Sequence, residues 1–147
     1  MGTFIVFQGK AFKEQYQGGY LWAPRYAKNG SERFYWSNMK KLKPGDTILS
    51  ICNGKIVAYI KVKKECQESQ MPRGLRHHGE WDQEKNGWLV YGDYYLVNPA
   101  ISLAPHKANI AKCCPDKYAP FNKKGDGNQG YLYEIYGDLL DYLKKII

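Results

Sequence analysis

The most regular pattern of apolar and polar positions lies in the middle of the chain. Ile56, Ala58, Ile60 and Val62 alternate with Val57, Tyr59 and Lys61, as in a strand with one buried face. An apolar run at Thr47–Cys52 precedes it. The two are separated by Asn53-Gly54, a dipeptide that accepts the positive φ angles of a two-residue hairpin turn. Lys43–Asp46 reads Lys-Pro-Gly-Asp and predicts the tight turn that leads into this hairpin.

Other segments predict short strands and helices around the hairpin. Strands are expected at Thr3–Phe7, Trp88–Val97 and Gly130–Ile135, and short helices at Ala11–Gln17, Ala108–Cys114 and Asp138–Ile147. Gly92-Asp93 in the middle of the second strand indicates a bulge or bend, and Asn98-Pro99 should end that strand. The expected fold class is therefore α+β.

A long polar stretch follows the hairpin. Residues 63–86 have many charges and no apolar period, so they predict an exposed loop. Loops of this length in a compact domain are usually functional or disordered. Trp81 has no apolar neighbours in this loop, so it either folds back onto the body or closes over a ligand. We favour closure.

Composition adds a class of partner. The 147 residues suggest one domain. They carry a formal net charge of +8, and aromatic residues make up 15% of the chain. Lysine and arginine attract phosphates, and flat rings stack on bases, so the combination points to nucleic acid. The alternative is that the charge only maintains solubility and that the aromatic rings are core residues.

The sequence indicates neither a metal site nor an export signal. The four cysteines show no Cys-x-x-Cys spacing, and His77-His78 has no carboxylate or cysteine at a ligand spacing, so we predict no metal and no cofactor. The start of the chain has no signal-like pattern, and no apolar run approaches a membrane span. We therefore expect reduced thiols, a cytoplasmic location and no membrane partner.

Common catalytic motifs are also missing from the sequence. There is no Walker-type phosphate loop, no Gly-x-Ser-x-Gly elbow and no zinc-deaminase pattern, so we assign no catalytic residue. A cysteine nucleophile with His77, His78 or His106 as its base stays open, because such pairs are neighbours only in space.

The stretch Phe34–Val62 resembles a known family. An aromatic-Ser-Asn segment, the Lys-Pro-Gly-Asp turn, an apolar strand, a short turn and a strand reading IVAYIKV are similar to the middle of the EVE domain of the PUA superfamily, a relative of the YTH methyl-adenine readers. The similarity covers about residues 3–103. It implies a small curved β-barrel flanked by short helices, with a modified base held in an aromatic pocket. We expect residues 1–147 to form a single EVE/PUA-like domain, cut from a longer polypeptide.

The resemblance also implies a set of pocket residues. Trp36 would stack on or flank the base, and Ser37 or Asn38 would hydrogen-bond its edge. Trp81 would form a second wall, a role that Trp88 could also take. The complete predicted pocket comprises Trp22, Tyr35, Trp36, Ser37, Asn38, Ser50, Asn53, Trp81 and Trp88. Asn53 is at the same time the expected turn residue.

The function implied is recognition of modified DNA. The domain would hold a flipped methylated or hydroxymethylated cytosine, or methyladenine, as the specificity module of a modification-dependent restriction system with a fused or partner nuclease or NTPase subunit. Its contacts to the nucleic-acid backbone would come from Arg25, Arg33, Lys40, Lys41, Arg73 and Arg76.

Two alternatives are kept. One is an RNA-binding PUA-like module. The other is a small nucleoside hydrolase of the ASCH type, although the pattern Gly-x-Lys-x-x-Glu-x-Arg of that family is not matched, because Gly9-Lys10 is followed by Lys13-Glu14 at a different spacing.

Overall fold

A computed structural model describes residues 1–75 and 86–147 and shows a mixed α+β fold around one curled, half-barrel sheet. The strands are β1 (Thr3–Phe7), β2 (Tyr20–Pro24), β3 (Thr47–Cys52), β4 (Lys55–Val62), β5 (Gln67–Gln70), β6 (Asn86–Ser102) and β7 (Leu132–Ile135). The helices are α1 (Phe12–Gly18), α2 (Phe34–Ser37), α3 (Lys107–Cys113) and α4 (Gly137–Ile146). Short 3-10 turns occur at Gly9–Ala11, Asn38–Lys41 and Ala104–His106. The predicted α+β class and the small curved sheet are confirmed.

The strand order is β2-β6-β4-β3-β1-β7, and β5 also pairs with β6. All described pairs are antiparallel except β1 with β3. A parallel pair needs a crossover connection. Here the connection between β1 and β3 contains α1, β2 and α2. The crossover that contains α2 therefore joins two neighbouring strands, β1 and β3.

The predicted hairpin and turn are confirmed. Asn53 and Gly54 have φ angles of 51° and 73° and connect β3 to β4. In the turn before β3, the buried Asp46 carboxylate accepts hydrogen bonds from the backbone N–H of Lys43 at 2.9 Å and of Gly2 at 2.8 Å. Asp46 thus fastens the start of β1 to the turn that begins β3.

β6 departs from the sequence prediction in length and in the position of its bulge. β6 continues through Pro99, where the sequence had predicted its end. The register with β4 jumps between Leu96 and Ile101, so Pro99 has no partner residue in β4. The absence of a proline N–H therefore removes no hydrogen bond from the sheet. Of the bulge or bend predicted at Gly92-Asp93, no bulge occurs, because Gly92 pairs regularly with Val62 and Asp93 with Lys61. Gly92 is instead the point at which β6 changes its partner from β2 to β4.

The predicted loop at 63–86 is partly a strand. β5 pairs with residues 86–89 at the start of β6, because polar side chains do not prevent a short strand from adding its backbone to an available edge. Residues 76–85 lie outside the described residues, and with them Arg76, the His77-His78 pair and Trp81.

The apolar side chains form two large clusters and one small one. The main cluster contains Trp36 and Trp88, and a second lies under α3 and α4. The small cluster, which we call the Trp22 cluster, consists of Ala11, Tyr20, Trp22, Leu75 and Leu89. Most of the tryptophans that the sequence suggested for a pocket therefore have packing partners inside the protein.

A buried polar network joins α1 to the sheet. The Gln8 side-chain amide donates to Gln15 Oε1 at 2.9 Å and to the Tyr94 hydroxyl at 2.7 Å, and Ser50 Oγ donates to Gln8 Oε1 at 2.6 Å. The Tyr131 hydroxyl donates to Gln15 as well. Burial raises the pKa of both phenols, so they remain neutral donors at neutral pH.

We expect Trp36→Ala to lower the free energy of unfolding by about 3 to 5 kcal/mol, because removing a buried indole leaves a cavity in the main cluster. Urea denaturation measures the loss. Tyr136→Ala is the matched control: its ring is 58% exposed, so its replacement should change stability by less than about 0.5 kcal/mol. Equal effects of the two substitutions would contradict the core placement of Trp36.

Candidate nucleic-acid interface

The described members of the predicted pocket do not line one cavity. Trp22 and Trp88 lie on neighbouring strands, but in the register Ala23 is opposite Trp88, so the two indoles point to opposite faces of the sheet. Trp22 is completely buried in the Trp22 cluster, and its Nε1 donates to the Ser69 carbonyl at 3.2 Å. Trp22 is thus a core residue, and its assignment to a pocket wall is corrected.

The segment Phe34–Lys41 was expected to present Trp36 to a ligand. Instead it forms α2 and a 3-10 turn whose inner face is closed: Trp36 is 4% exposed, and the Asn38 amide donates to the Leu132 carbonyl at 2.9 Å. Tyr35 is half-buried beside Trp36, at 5.6 Å between ring centroids, and Ser37 is half-buried too. The reason is helical periodicity, which turns Trp36 inward and leaves the ends of the segment at the surface.

Two further pocket residues have structural roles. The buried Ser50 hydroxyl already donates its hydrogen bond to Gln8 Oε1 in the buried network. Asn53 is exposed in the hairpin turn, where asparagine is favoured because the turn requires a left-handed φ. Neither is placed as the floor of a base pocket.

Arginine and lysine side chains lie over aromatic rings at the start of β6. The Arg25 guanidinium lies 5.2 Å from the Trp88 ring centroid, and Lys40 Nζ lies 5.1 Å from it. Arg25 is also 5.2 Å from the Tyr26 ring, and Lys64 is 5.7 Å from that of Tyr91. Because Tyr91 is three residues after Trp88 in a regular part of β6, its ring points to the opposite face of the sheet. We call the four residues that meet at Trp88, namely Arg25, Tyr26, Lys40 and Trp88, the cationic patch.

The patch contains three of the four cation–π contacts among the described residues. Each such contact contributes about 0.5 to 1 kcal/mol at an exposed site. The sequence analysis had named Arg25, Lys40 and Trp88, but it had not assigned Tyr26 a role. The sequence signal for Tyr26 was its place directly after Arg25.

Two buried N–H donors in the patch lack an acceptor. Trp88 Nε1 and Arg25 Nε have no hydrogen-bond partner among the described residues. Arg25 Nη1 is held by Glu68 Oε1 at 2.9 Å, which fixes the guanidinium beside the indole. An unpaired buried donor costs about 1 to 3 kcal/mol. These donors therefore favour an arriving acceptor.

The other predicted backbone cations lie elsewhere. Lys41 Nζ is 3.5 Å from Glu134 Oε1, Arg33 precedes α2, and Arg73 is exposed in the turn after β5. The structure thus brings together only Arg25 and Lys40 from that set, as far as residues 1–75 and 86–147 show.

Cys66 packs beside the patch. Burial raises the pKa of its thiol to about 11, against the opposing effect of the nearby Lys40 charge. The thiol is therefore neutral at physiological pH.

In the described part of the chain, no group of three or more Cys, His, Asp and Glu side chains could hold a metal ion. Within the same residues, none of the helices has the length and apolar character needed to span a membrane.

Comparisons with known proteins support the fold alone. No family model matches the chain, and no curated protein matches its sequence. A crystal structure of a Pseudomonas putida protein is similar, with a TM-score of 0.62 and 9% identity over 98% of each chain. A hypothetical protein from Leishmania major has a TM-score of 0.59 and 10% identity, over 99% of this chain and 93% of its own. An NMR structure of a Rhodopseudomonas palustris protein has a TM-score of 0.56 and 12% identity, over 99% and 92%.

These structures and the site define the chain as an α+β protein with a curled sheet that bears a cationic, aromatic surface at one strand. The likeness extends over nearly the whole chain, so it concerns the complete fold and not a local motif.

We expect alkylation of Cys66 in the folded protein to keep accelerating as the pH rises towards about 11, because only the thiolate reacts. In concentrated urea the rate should level off near the ordinary cysteine pKa of about 8.5. Iodoacetamide labelling followed by peptide mass spectrometry gives both profiles. The position of the plateau, and not the absolute rate, is decisive, because burial slows access at every pH. Coinciding plateaus would show that the thiol is not perturbed.

Proposed function

We propose that the protein is a nucleic-acid-binding module whose cationic patch contacts the phosphate backbone. The observation that carries the proposal is the pair of buried donors, Trp88 Nε1 and Arg25 Nε, left without an acceptor among the described residues beside the exposed Lys40. A phosphate oxygen accepts from indole and guanidinium N–H groups alike, and Lys40 would add a point charge.

The net charge of the chain acts in the same direction. Phosphates neutralised by lysine and arginine release their counterions, which gives affinity without sequence preference. With a formal charge of +8, the whole domain attracts a polyanion, and the patch supplies a place where the backbone is held in register.

Access to the indole requires one side chain to move. Arg25 and Lys40 both lie over the Trp88 ring, which is itself 7% exposed. Lys40 is long and exposed, so a phosphate that draws its ammonium away from the ring also uncovers part of the indole. The same movement would offer aromatic surface to an unpaired base, worth about 1 to 3 kcal/mol of stacking.

The finer proposal is that the unpaired base is a modified one in DNA, read as the specificity step of a restriction system whose nuclease lies in another domain or subunit. It is supported by the resemblance of Phe34–Val62 to the EVE domain. Extruding a base costs a few kcal/mol, which stacking and phosphate contacts together can offset.

We expect the double variant Arg25→Gln with Lys40→Gln to bind modified and unmodified duplex DNA more weakly. The slope of the logarithm of affinity against that of salt should fall by about one for each phosphate that the variant no longer neutralises. Glutamine retains part of the aliphatic stem, so the packing on Trp88 is largely kept. Fluorescence anisotropy across a salt series measures the slope.

Lys144→Gln with Lys145→Gln in α4 is the matched control, because it removes the same two charges far along the chain from the patch. An equal loss in both double variants would mean that only net charge matters. Absence of any salt slope in the wild type would refute nucleic-acid binding through the patch.

We expect the wild type to prefer a duplex containing 5-methylcytosine, 5-hydroxymethylcytosine or N6-methyladenine over the unmodified duplex, by roughly 5- to 100-fold, the worth of one good base-specific contact. Competition binding with these oligonucleotides, and with an RNA of the same sequence, is the measurement. If no modification is preferred, the modified-base proposal fails. If the RNA is preferred to every DNA, the alternative of an RNA-binding module replaces it.

A further inference from the structure

A large cavity lies away from the cationic patch, between α2, α3, β7 and the 115–129 segment. It has a volume of about 980 Å³. It is lined by the rings of Phe34, Tyr118 and Tyr133, by the polar residues Asn128 and Gln129, and by Lys112 and Lys123. None of these residues belonged to the predicted pocket, although Phe34 begins the segment that was thought to form it. We call this space the Phe34 cavity.

The rings of the Phe34 cavity are fixed against one another by edge contacts. The Phe34 centroid is 4.8 Å from that of Tyr118 and 5.6 Å from that of Tyr133, with interplanar angles of 67° and 74°. The Tyr133 hydroxyl donates to the Gln129 carbonyl at 2.7 Å. Tyr133 is buried, whereas Phe34 is 37% and Tyr118 is 68% exposed. The wall therefore presents preorganised aromatic surface to the space in front of it.

Tyr118 is also held in a backbone conformation that tyrosine disfavours. Its φ angle is 57°, in the left-handed region where glycine is the usual residue. Most of its ring is exposed, so little burial offsets this strain in the protein alone. A ligand that stacks on the ring would account for a tyrosine at this position.

The Phe34 cavity continues into a lysine-lined groove. Lys112 and Lys123 line both spaces, and the groove, of about 580 Å³, adds Lys107 and Lys124. Lys107 is engaged by Asp126 at 2.6 Å, so its charge is partly compensated. Lys112, Lys123 and Lys124 form no ion pair with the described residues. A single carboxylate, Asp116, lines the aromatic part.

The loop that carries two of these lysines is held in one shape. Asn122 Oδ1 accepts from the backbone N–H of Lys124 at 2.8 Å and of Asp126 at 3.1 Å. Gly125 has a φ angle of 81°, and a side chain there would lie 2.2 Å from the Lys107 carbonyl. Lys123 and Lys124 therefore project from a fixed loop at the edge of the aromatic wall.

From this juxtaposition we infer that the Phe34 cavity and its groove form a second binding site, for a nucleotide. The base would stack on Tyr118, with the Phe34 ring, inclined by 67°, against its edge. The Gln129 amide and Asn128 Oδ1 would hydrogen-bond the base, since Asn128 Nδ2 already donates to the Ala119 carbonyl at 2.8 Å. Lys112 and Lys123 would bind the phosphate. The site uses none of the residues of the cationic patch, so it goes beyond the proposed function and is tested independently of it.

The same chemistry could come from a free mononucleotide or from one nucleotide unit of a single strand. Isothermal titration calorimetry with 5′-AMP, adenosine, inorganic phosphate and a single-stranded adenine pentanucleotide distinguishes them. We expect a nucleotide, free or in the strand, to bind more tightly than adenosine or phosphate alone, because only a nucleotide occupies both the aromatic wall and the lysine groove.

Tyr118→Gly separates ligand binding from folding. It removes the stacking ring, so nucleotide affinity should fall by roughly 5- to 100-fold. It also relieves the left-handed strain, so the melting temperature should not fall. Tyr95→Ala is the control, because that ring is also partly exposed but stacks on Tyr59, away from the cavity. Lys112→Gln with Lys123→Gln should reduce the affinity for 5′-AMP to that for adenosine, whereas Lys144→Gln with Lys145→Gln should not.

Each outcome decides the inference. Binding of 5′-AMP that depends on Tyr118 and the two lysines supports a site for a free nucleotide, and binding of the pentanucleotide alone with the same dependence supports a site for a strand. Binding of neither probe overturns the inference, as does binding that is unchanged by Tyr118→Gly and by the lysine double variant.

Discussion

The continuity of β6 is the constraint on which the rest of the sheet depends. A strand of 17 residues exposes backbone donors and acceptors on both edges, and these must be paired wherever they are buried. The first part of β6 meets this need with β2 and β5, and the remainder pairs with β4. No other described strand pairs with three partners. Because the register is set by these pairings, they also decide that Trp88 faces the main cluster while Trp22 faces the Trp22 cluster on the other side.

The segment Phe34–Lys41 connects this framework to both candidate sites. Its inward residues are tied to the core by Trp36 and by the hydrogen bond from Asn38 to the Leu132 carbonyl. Its outer residues diverge: Phe34 contributes to the aromatic cavity, and Lys40 lies over Trp88 in the cationic patch. A buried anchor between two exposed ends gives each surface a rigid support, which lowers the ordering cost of binding there.

The buried network and the cationic patch differ in charge. In the network of Gln8, Gln15, Ser50, Tyr94 and Tyr131, neutral side chains from distant parts of the chain pair with one another, and only Gln15 Nε2 has no partner among the described residues. In the cationic patch the unpaired donors, Trp88 Nε1 and Arg25 Nε, lie beside positive charge that is partly exposed. Unpaired buried donors and like charges both cost free energy, which is why we propose that a ligand binds there.

The sequence by itself determined the elements whose cause is local. The hairpin at Asn53-Gly54, the Asp46 turn, β1, β3 and α4 follow from turn chemistry and periodicity within a few residues, and they appear within a residue or two of their predicted bounds. Only the tertiary structure decided which aromatic residues are buried. β5 and the passage of β6 through Pro99 depend on strand partners distant in the chain, and so does the burial of Trp22 and Trp36. An aromatic residue gives the same local sequence pattern whether its side chain lies in a core or in a pocket. Which of the two it occupies depends on packing against residues tens of positions away, and no local pattern encodes that packing.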